Sequence, residues 1–337
     1  MKRNLFLILG LTGCLLLQSC SLKPPARPDP GTAVAAADAG SDLSLSFDAF
    51  NQAGTLVKNS DVYSGYAAEV LSCLTAMPDR YAGSETNQEA AEYIAGQMEQ
   101  LGLLPFDGES YFSPYLQNVD GGERTLHNVV GYIKGSGDAK TEAVLITCHF
   151  DTVRNTPGAV DNASGTAAML CTARLLSDMA VDSRPDIIFC AFNGEEQFYI
   201  GSRAFANEYC DRYQSLYNIN YDCVGMTYGG AYMTGAAEDD ISYDLISGAA
   251  ACLENRGIKQ NDNMNRDIRS DHVSFLENGV PAVCFSMSDV MSVIHSPWDT
   301  REVVDAGAVA GLAAAVTDFL TWEWDAGAAQ CQPAAEG

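Results

Sequence analysis

Positive charge is scarce in this chain: 19 Lys and Arg residues stand against 44 Asp and Glu, which gives a formal net charge of −25. A negative excess of this size disfavours nucleic acids and anionic membrane surfaces as partners, because both would repel it. The sequence also lacks a Walker-type phosphate-binding loop and any Cys-x-x-Cys pair, so the common zinc-ribbon pattern is excluded. Only four histidines are present, which makes the setting of each one informative.

The first apolar stretch, Leu5–Leu17, follows a short basic segment and is too short to span a bilayer. This arrangement is typical of a signal peptide. Cys14 and Cys20 both end segments that resemble a bacterial lipobox, and we expect Cys20 to be the lipidated residue. We therefore predict a lipoprotein signal peptide over residues 1–20. The protein would belong to the bacterial cell envelope, attached outside the cytoplasm through its lipid alone, with ordinary secretion as the alternative.

Three regions are expected beyond the signal peptide. Residues 21–45 are rich in Pro, Ala, Asp and Gly and cannot form a core, so they should be a flexible tether. Residues 46–325 alternate strand-like apolar runs with amphipathic helical patterns. This alternation predicts a single α/β domain, a three-layer fold with helices on both faces of a mostly parallel, mixed sheet. Residues 326–337 are expected to be a C-terminal tail.

The periodicity of apolar residues places the helices and strands of that domain. The helical patterns cover Asp61–Ala76, Asn87–Leu101, Ala163–Asp178, Ser202–Tyr213, Asp240–Arg256, Asp271–Asn278 and Asp305–Trp324. The strand patterns cover Asn128–Lys134, Ala143–Cys148, Asp186–Phe192, Leu216–Tyr221, Tyr232–Thr234 and Pro281–Phe285. Ligands bind at the carboxyl ends of the strands in such a sheet, so the residues that follow these strands are the candidates for a functional site.

Two adjacent carboxylates follow one of the predicted strands. The apolar run Ile187–Phe192 ends at Asn193-Gly194, and Glu195 and Glu196 come next. Side by side at a sheet edge, these like charges repel each other unless a positive charge such as a metal ion lies near them. A pair of adjacent glutamates is most often a solvated surface pair, so the interpretation depends on what the other strand ends supply.

The other strand ends supply histidine and aspartate. His149 and Asp151 end one strand and, being two residues apart, face the same way. Asp151 is therefore a catalytic candidate, since it could accept a hydrogen bond from the ring nitrogen of His149 that does not bind a metal. Asp161 lies in a polar turn before a helical pattern, Asp222 ends another strand, and His295 lies in a loop. Taken singly, each of these would more often be structural.

Taken together, these positions and the second glutamate make a set of two imidazoles and three carboxylates: His149, Asp161, Glu196, Asp222 and His295. This set suits two zinc ions with one bridging carboxylate and an open position on each ion for water. Water held between two such ions is acidified towards neutrality and needs a proton acceptor that is not tied to metal. Glu195, next to a candidate ligand, is the candidate general base.

Several strings of the sequence resemble those of the co-catalytic dizinc aminopeptidases, zinc peptidases of clan MH, family 28. They occur in the same order over roughly residues 80–305 and are His149-Phe-Asp151, Asp161-Asn-Ala-Ser-Gly165, Glu195-Glu196 with Gly201-Ser202, Asn220-Tyr-Asp222, Arg269-Ser-Asp-His272 with Phe275 and Gly279-Val-Pro281, and His295-Ser-Pro-Trp-Asp-Thr300. The resemblance implies the zinc-peptidase type of sheet and these roles: His149 and Asp222 on one zinc ion, Glu196 and His295 on the other, Asp161 bridging and Glu195 as general base. It also implies a nonprolyl cis peptide at Asp161-Asn162.

The sequence departs from the family at one position and leaves two roles open. Several members carry Tyr just before the last histidine, where its hydroxyl can support the oxyanion, but this chain has Ile294 there. Either another donor such as Tyr199 or Tyr228 supports the oxyanion, or the enzyme relies more on its metals. Ile294 is a candidate substrate contact. Arg269 matches an Arg that lies near the substrate in related enzymes, and a structural salt bridge with Asp271 or another acid is the alternative.

The resemblance favours an aminopeptidase, which the signal peptide would place outside the cytoplasm. Acids crowd the expected site, so we expect it to act on peptides with a free amino terminus. A glutaminyl-peptide cyclotransferase on the same scaffold and a non-catalytic peptidase-like binding domain are the alternatives. The side-chain pocket is expected to be apolar, although most of its candidate residues could instead be core: Phe198, Tyr199, Met226, Met287, Met291 and Ile294. The sequence indicates no oligomeric state.

Overall fold

The computed structural model describes residues 61–136, 141–179, 185–229, 232–235, 242–260 and 268–330. The predicted signal peptide, the lipidation site and the tether lie outside these residues. The helices are Asp61–Thr75 (α1), Glu85–Gln100 (α2), Ser164–Asp178 (α3), Ile200–Tyr209 (α4), Tyr243–Asn255 (α5), His272–Leu276 (α6) and Ala306–Gln330 (α7). The strands are Leu104–Pro105 (β1), Phe112–Val119 (β2), Gly122–Ile133 (β3), Glu142–His149 (β4), Asp186–Phe192 (β5), Ser215–Tyr221 (β6), Tyr232–Gly235 (β7) and Ala282–Met287 (β8).

The strands form one eight-stranded sheet in the order β1-β3-β5-β4-β6-β8-β7, and β2 pairs with β3. Its centre is parallel, because β4 pairs in parallel with β5 and β6, and β6 pairs in parallel with β8. The flanking strands β1, β2, β3 and β7 are antiparallel to their neighbours. The predicted mixed sheet is thus confirmed. The carboxyl ends of the four parallel strands lie along the same edge, where the sequence places the candidate residues.

Side chains of the central strands alternate between two cores, one on each face of the sheet. In β4, Val144 and Ile146 join the larger core, which includes residues of α1, α2, α3, α5 and α7. Ala143 and Leu145 join the smaller core with residues of α4 and α6. Helices therefore cover both faces, as predicted. Burial on both faces also explains why the central strands read as continuous apolar runs.

The hairpin of β2 and the first half of β3 were not predicted from the sequence. The strand predicted from Asn128 begins at Gly122, and β2 pairs with it over its whole length. Most β2 side chains are exposed or half-buried, and the strand contains Pro114. Proline is tolerated on an edge strand, but within a run of residues it argues against predicting a strand there.

Two helices differ most from their predicted ends. Helix α4 begins at Ile200 and gives way at Cys210 to a short 3₁₀ turn, so it is shorter than predicted. Helix α7 runs to Gln330, beyond the predicted end at Trp324, so the expected tail begins inside it. No helix within the described ranges is both long and apolar enough to cross a membrane.

Candidate metal centre

The central strand β4 carries His149 at its carboxyl end, and the ring is buried, at 1% exposure. Its Nδ1 lies 3.3 Å from the backbone oxygen of Asp151 and 3.5 Å from Oδ1 of the same residue. The Asp151 carboxylate also accepts the backbone N–H groups of Glu195, at 3.1 Å, and Glu196, at 3.4 Å. Asp151 therefore connects the first candidate ligand to the turn that carries both glutamates.

Asp161 lies in the tight turn Ala159–Ala163 that leads into α3. The peptide bond between Asp161 and Asn162 is cis, so the prediction of a nonprolyl cis bond is confirmed. The Asn162 side chain donates from Nδ2 to the backbone oxygen of Tyr221 at 2.9 Å. This bond ties the turn to the end of β6, next to Asp222.

The buried side chain of Asp299 holds the same turn from the other side. Its carboxylate accepts the backbone N–H of Val160 at 2.6 Å and that of Asp161 at 3.1 Å. Sequence reasoning assigned Asp299 no role, although it lies in the matched string that begins with His295. An acid just after the last candidate ligand was the one available indication.

The turn with the two glutamates is anchored by asparagines. The side-chain amides of Asn193 and Asn87 donate to each other at 2.9 Å in both directions. Asn128 accepts the backbone N–H of Asn193 at 3.1 Å. Gly194 has a left-handed φ of +80°, and a Cβ there would come within 2.5 Å of Ile200. The Asn-Gly pair therefore fixes where the carboxylates of the next two residues lie.

Two groups of candidate ligand atoms form, and they share Asp161. In the first, His149 Nε2 lies 3.3 Å from Asp161 Oδ1 and 3.4 Å from Asp222 Oδ1. In the second, His295 Nε2 lies 3.0 Å from Asp161 Oδ2 and 3.2 Å from Glu196 Oε2. The structure thus brings together all five residues that the sequence analysis selected as ligands, in the two groups it expected.

Zinc fits these groups. A tetrahedral zinc ion with ligands at about 2.0–2.1 Å has neighbouring ligand atoms about 3.3 Å apart. The imidazole–carboxylate separations are 3.0–3.4 Å, and all ligand atoms of a group lie within 4.8 Å of one another. Three buried atoms of the candidate ligands have no hydrogen-bond partner among the described residues: His149 Nε2, Glu196 Oε1 and Asp222 Oδ1. Buried polar atoms are costly without a partner, and a bound cation would provide one.

The charges of the centre favour a cation. Hydrogen bonds with Asp161 and Glu196 raise the pKa of His295 to about 10. Burial and the charge of Asp161 raise the pKa of Glu196 to about 7. Burial also raises the pKa of Glu195 well above its usual range. A positive charge bound here would lower the pKa values of these carboxyls, because it stabilises their ionised forms.

A cavity of about 450 Å³ opens over the two groups. Its wall contains five of the residues expected near the substrate: Phe198, Tyr199, Arg269, Met291 and Ile294. Met226 and Met287 belong instead to the larger core, so the core alternative holds for these two. Tyr228 is not among the lining residues, which leaves Tyr199 as the tyrosine of the wall.

The salt bridge between Arg269 and Asp271, offered as one alternative, is not formed. Asp271 is fully buried, and neither of its carboxylate oxygens has a hydrogen-bond partner among the described residues. Burial raises the pKa of Asp271 to about 7. Arg269 is exposed and lines the cavity, so its side chain is available to a ligand there.

A mixed sheet with helices on both faces and two histidine–carboxylate groups beside its parallel strand ends defines an α/β protein with a candidate metal centre. The family model described as "Peptidase family M28" matches residues 128–320, more than half of the chain. The chain belongs to peptidase family M28. This agrees with the resemblance carried by the motif strings.

Comparisons with individual proteins agree with the family assignment. The chain is 31% identical over 179 residues to "Aminopeptidase YwaD" of Bacillus subtilis, covering 52% of this chain and 38% of that protein. The solved structure of an "Aminopeptidase from Aneurinibacillus sp. strain AM-1" superposes with a TM-score of 0.63 at 19% identity, covering 81% of this chain and 96% of that one. A glutaminyl cyclase from Bacteroides thetaiotaomicron superposes with a TM-score of 0.64 at 16% identity, covering 76% and 97%. At these identities the comparisons show that this chain shares the fold of the two solved structures.

Proposed function

We propose that this protein is an extracytoplasmic aminopeptidase that uses two zinc ions to remove N-terminal residues from peptides. The observation that carries the proposal is the pair of ligand groups that share Asp161, at separations that suit tetrahedral zinc. The family membership and the names of the relatives support the reaction class.

His149 and Asp222 would hold one zinc ion, Glu196 and His295 the other, and Asp161 would bridge the two. Bound there, zinc would polarise the scissile carbonyl and acidify an attacking water molecule. The exposed flank of the centre, where His295 is about half exposed, faces the cavity and leaves room for substrate.

Glu195 is proposed as the general base. Its Oε2 lies 4.0 Å from His149 Nε2, and it belongs to neither ligand group. It would take a proton from the attacking water as the water oxygen bonds to the carbonyl carbon. It would return that proton to the leaving amine as the C–N bond breaks. Asp151 would act by holding the backbone of Glu195 and the ring of His149 in position.

The residues that line the cavity suit a short peptide. Glu195, a carboxylate that belongs to neither ligand group, would attract the ammonium of a free amino terminus, and Arg269 would hold a carboxylate of the substrate. Ile294 and its apolar neighbours favour an apolar first side chain. We therefore propose peptides with a free amino terminus as the substrates, with Ile294 and Arg269 as contact residues.

A peptide with a free amino terminus should be cleaved at least about tenfold faster than its N-acetyl form at equal concentration. Acetylation removes a charge-assisted hydrogen bond that contributes roughly 1.5–3 kcal/mol. Release of the first residue is measured with and without a chelator, which should abolish the release, and the zinc content is determined by elemental analysis.

The C-terminal amide of the same peptide tests the role of Arg269. The amide should be a poorer substrate than the free acid for the unaltered protein, and Arg269→Gln should remove that difference.

Three results would contradict parts of this proposal. Equal cleavage of the free and acetylated peptides, or release from the carboxyl end, would rule out aminopeptidase action. Cyclisation of a peptide that begins with Gln, without release of a first residue, would favour the cyclotransferase. Full activity after complete removal of metal would exclude zinc catalysis.

For location, we propose attachment to the cell envelope by a lipid on Cys20. The short apolar segment and the lipobox-like sequence before this cysteine support it. Cys20→Ser should move the protein from the membrane fraction to the soluble extracytoplasmic fraction, with Cys14→Ser as the matched control. A Cys20→Ser protein that stays membrane-bound would contradict the assignment.

A further inference from the structure

A buried arginine lies under the metal centre. Arg80 has 0% exposure, and a buried guanidinium is costly unless its N–H groups are hydrogen-bonded. Here they donate to backbone oxygens of five residues: Phe150 at 2.8 Å, Leu74 at 2.8 Å, Met77 at 3.3 Å, Pro157 at 2.9 Å and Gly158 at 2.9 Å. The acceptors come from three separate stretches of chain, so one side chain connects all three.

Two of those stretches carry candidate zinc ligands. Phe150 lies between His149 and Asp151 in the chain. The hydrogen bond from Arg80 to its backbone oxygen therefore restrains the backbone that carries His149. Gly158 precedes the turn that contains Asp161. The third stretch is the end of α1, which belongs to the larger core and provides a rigid support.

The backbone of Arg80 extends the connection to the glutamate turn. Its carbonyl accepts the side-chain Nδ2 of Asn87 at 3.0 Å. Asn87 in turn pairs with Asn193, two residues before Glu195. One residue thus has a short hydrogen-bonded route to each of three ligand-bearing segments.

The charge of Arg80 also matters at this place. Burial lowers its pKa to about 10, while Asp299, Asp151 and Asp161 act in the opposite direction. The group therefore remains a cation at neutral pH. Its acceptors are neutral carbonyls, so its positive charge remains to offset repulsion among the carboxylates of the centre.

We propose that Arg80 is a positioning residue of the zinc centre, which sets the placement of His149 and Asp161 through its bonds to Phe150, Pro157 and Gly158. The inference rests on the proposed function, since it concerns zinc binding by the same site. A residue that served only packing could be replaced by Met of similar length with a change in stability alone. A positioning residue will also alter zinc affinity in the folded protein.

The test compares Arg80→Met and Arg80→Lys with the unaltered protein by zinc titration against a competing chelator, at a temperature where circular dichroism shows each variant folded. Both variants should bind zinc about 10–100-fold more weakly, the usual effect of losing a residue that orients ligands. Lys keeps the charge but lacks the planar fork of five donors, so it cannot reach all the carbonyls. The rise in Tm produced by zinc should shrink in both.

Arg256→Met is the matched control. Arg256 makes a bidentate ion pair with Asp318 that joins the end of α5 to α7, with one bond at 2.8 Å, and neither residue belongs to a ligand group or lines the cavity. This variant should lose stability yet keep the zinc affinity and the zinc-induced rise in Tm. It separates a general loss of stability from a change in the centre.

The possible outcomes separate the positioning role of Arg80 from the proposed function. Zinc affinity within about twofold of the unaltered protein in a folded Arg80→Met or Arg80→Lys variant would overturn the positioning role alone. If Arg80→Met does not fold, Arg80→Lys decides by the same criterion. If the unaltered protein binds no zinc, the proposed function fails and this inference falls with it.

Discussion

Replacing Glu195 by Gln should lower turnover by at least about 10²-fold and leave two zinc ions bound, because loss of a general acid–base costs about 10²–10⁴-fold. Glu195 belongs to neither ligand group, although its side chain is largely buried beside His149. The amide has nearly the same shape but cannot accept the proton of the attacking water. Turnover and zinc content are measured on the same preparation.

Glu196→Gln is the natural control for that experiment, because it changes the neighbouring residue in the same way. Glu196 Oε2 lies 3.2 Å from His295 Nε2 within a ligand group. This variant should lose zinc, whereas Glu195→Gln should keep it. A metal-replete Glu195→Gln protein with near-normal turnover would remove Glu195 from the role of base.

Three of the five candidate ligands could be placed from strand patterns in the sequence. Parallel strands buried on both faces appear as apolar runs, and their carboxyl ends meet at one edge of the sheet. His149 and Asp222 each end such a run, and Glu196 follows one after a turn. Knowing the strands was therefore enough to place these side chains together.

Residues distant in sequence that bond to the segments carrying the candidate ligands could not be predicted in this way. Asp299 binds the backbone of Asp161 across 138 positions of sequence, and Asn87 pairs with Asn193 across 106. Arg80 reaches Gly158 across 78 positions. A lone Arg or Asn carries no periodicity, and its burial is decided by segments that fold around it. Such residues become visible only when the tertiary contacts are known.

The same contrast applies to the sheet edge. The parallel centre was predictable from hydrophobicity, but the hairpin of β2 and β3 depends on backbone pairing between half-exposed residues. Tyr115 in β2 donates from its hydroxyl to the backbone oxygen of Asn193, at 2.5 Å. The hairpin therefore also supports the turn with the two glutamates, which is a function that its polar sequence does not reveal.

Replacing Asp161 by Asn should release both zinc ions, whereas Asp222→Asn should release one. Asp161 is the residue common to both ligand groups, with Oδ1 facing His149 and Oδ2 facing His295. A neutral amide of similar shape offers one oxygen and no charge, so it cannot bridge. The loss of affinity should exceed the 10–100-fold that follows loss of a residue that only orients a ligand, and activity should fall with it.

Zinc per chain is measured after equilibration with a defined concentration of free zinc, and thermal unfolding in chelator confirms that each variant is folded. The turn itself should survive in Asp161→Asn, because Asp299 holds it through backbone N–H groups that the substitution leaves in place. Asp222→Asn removes a ligand from one group and leaves the second complete. If Asp161→Asn kept one zinc ion at unchanged affinity, Asp161 would serve a single ion and the centre would not be bridged. If both variants kept two, the proposed ligand set would be wrong.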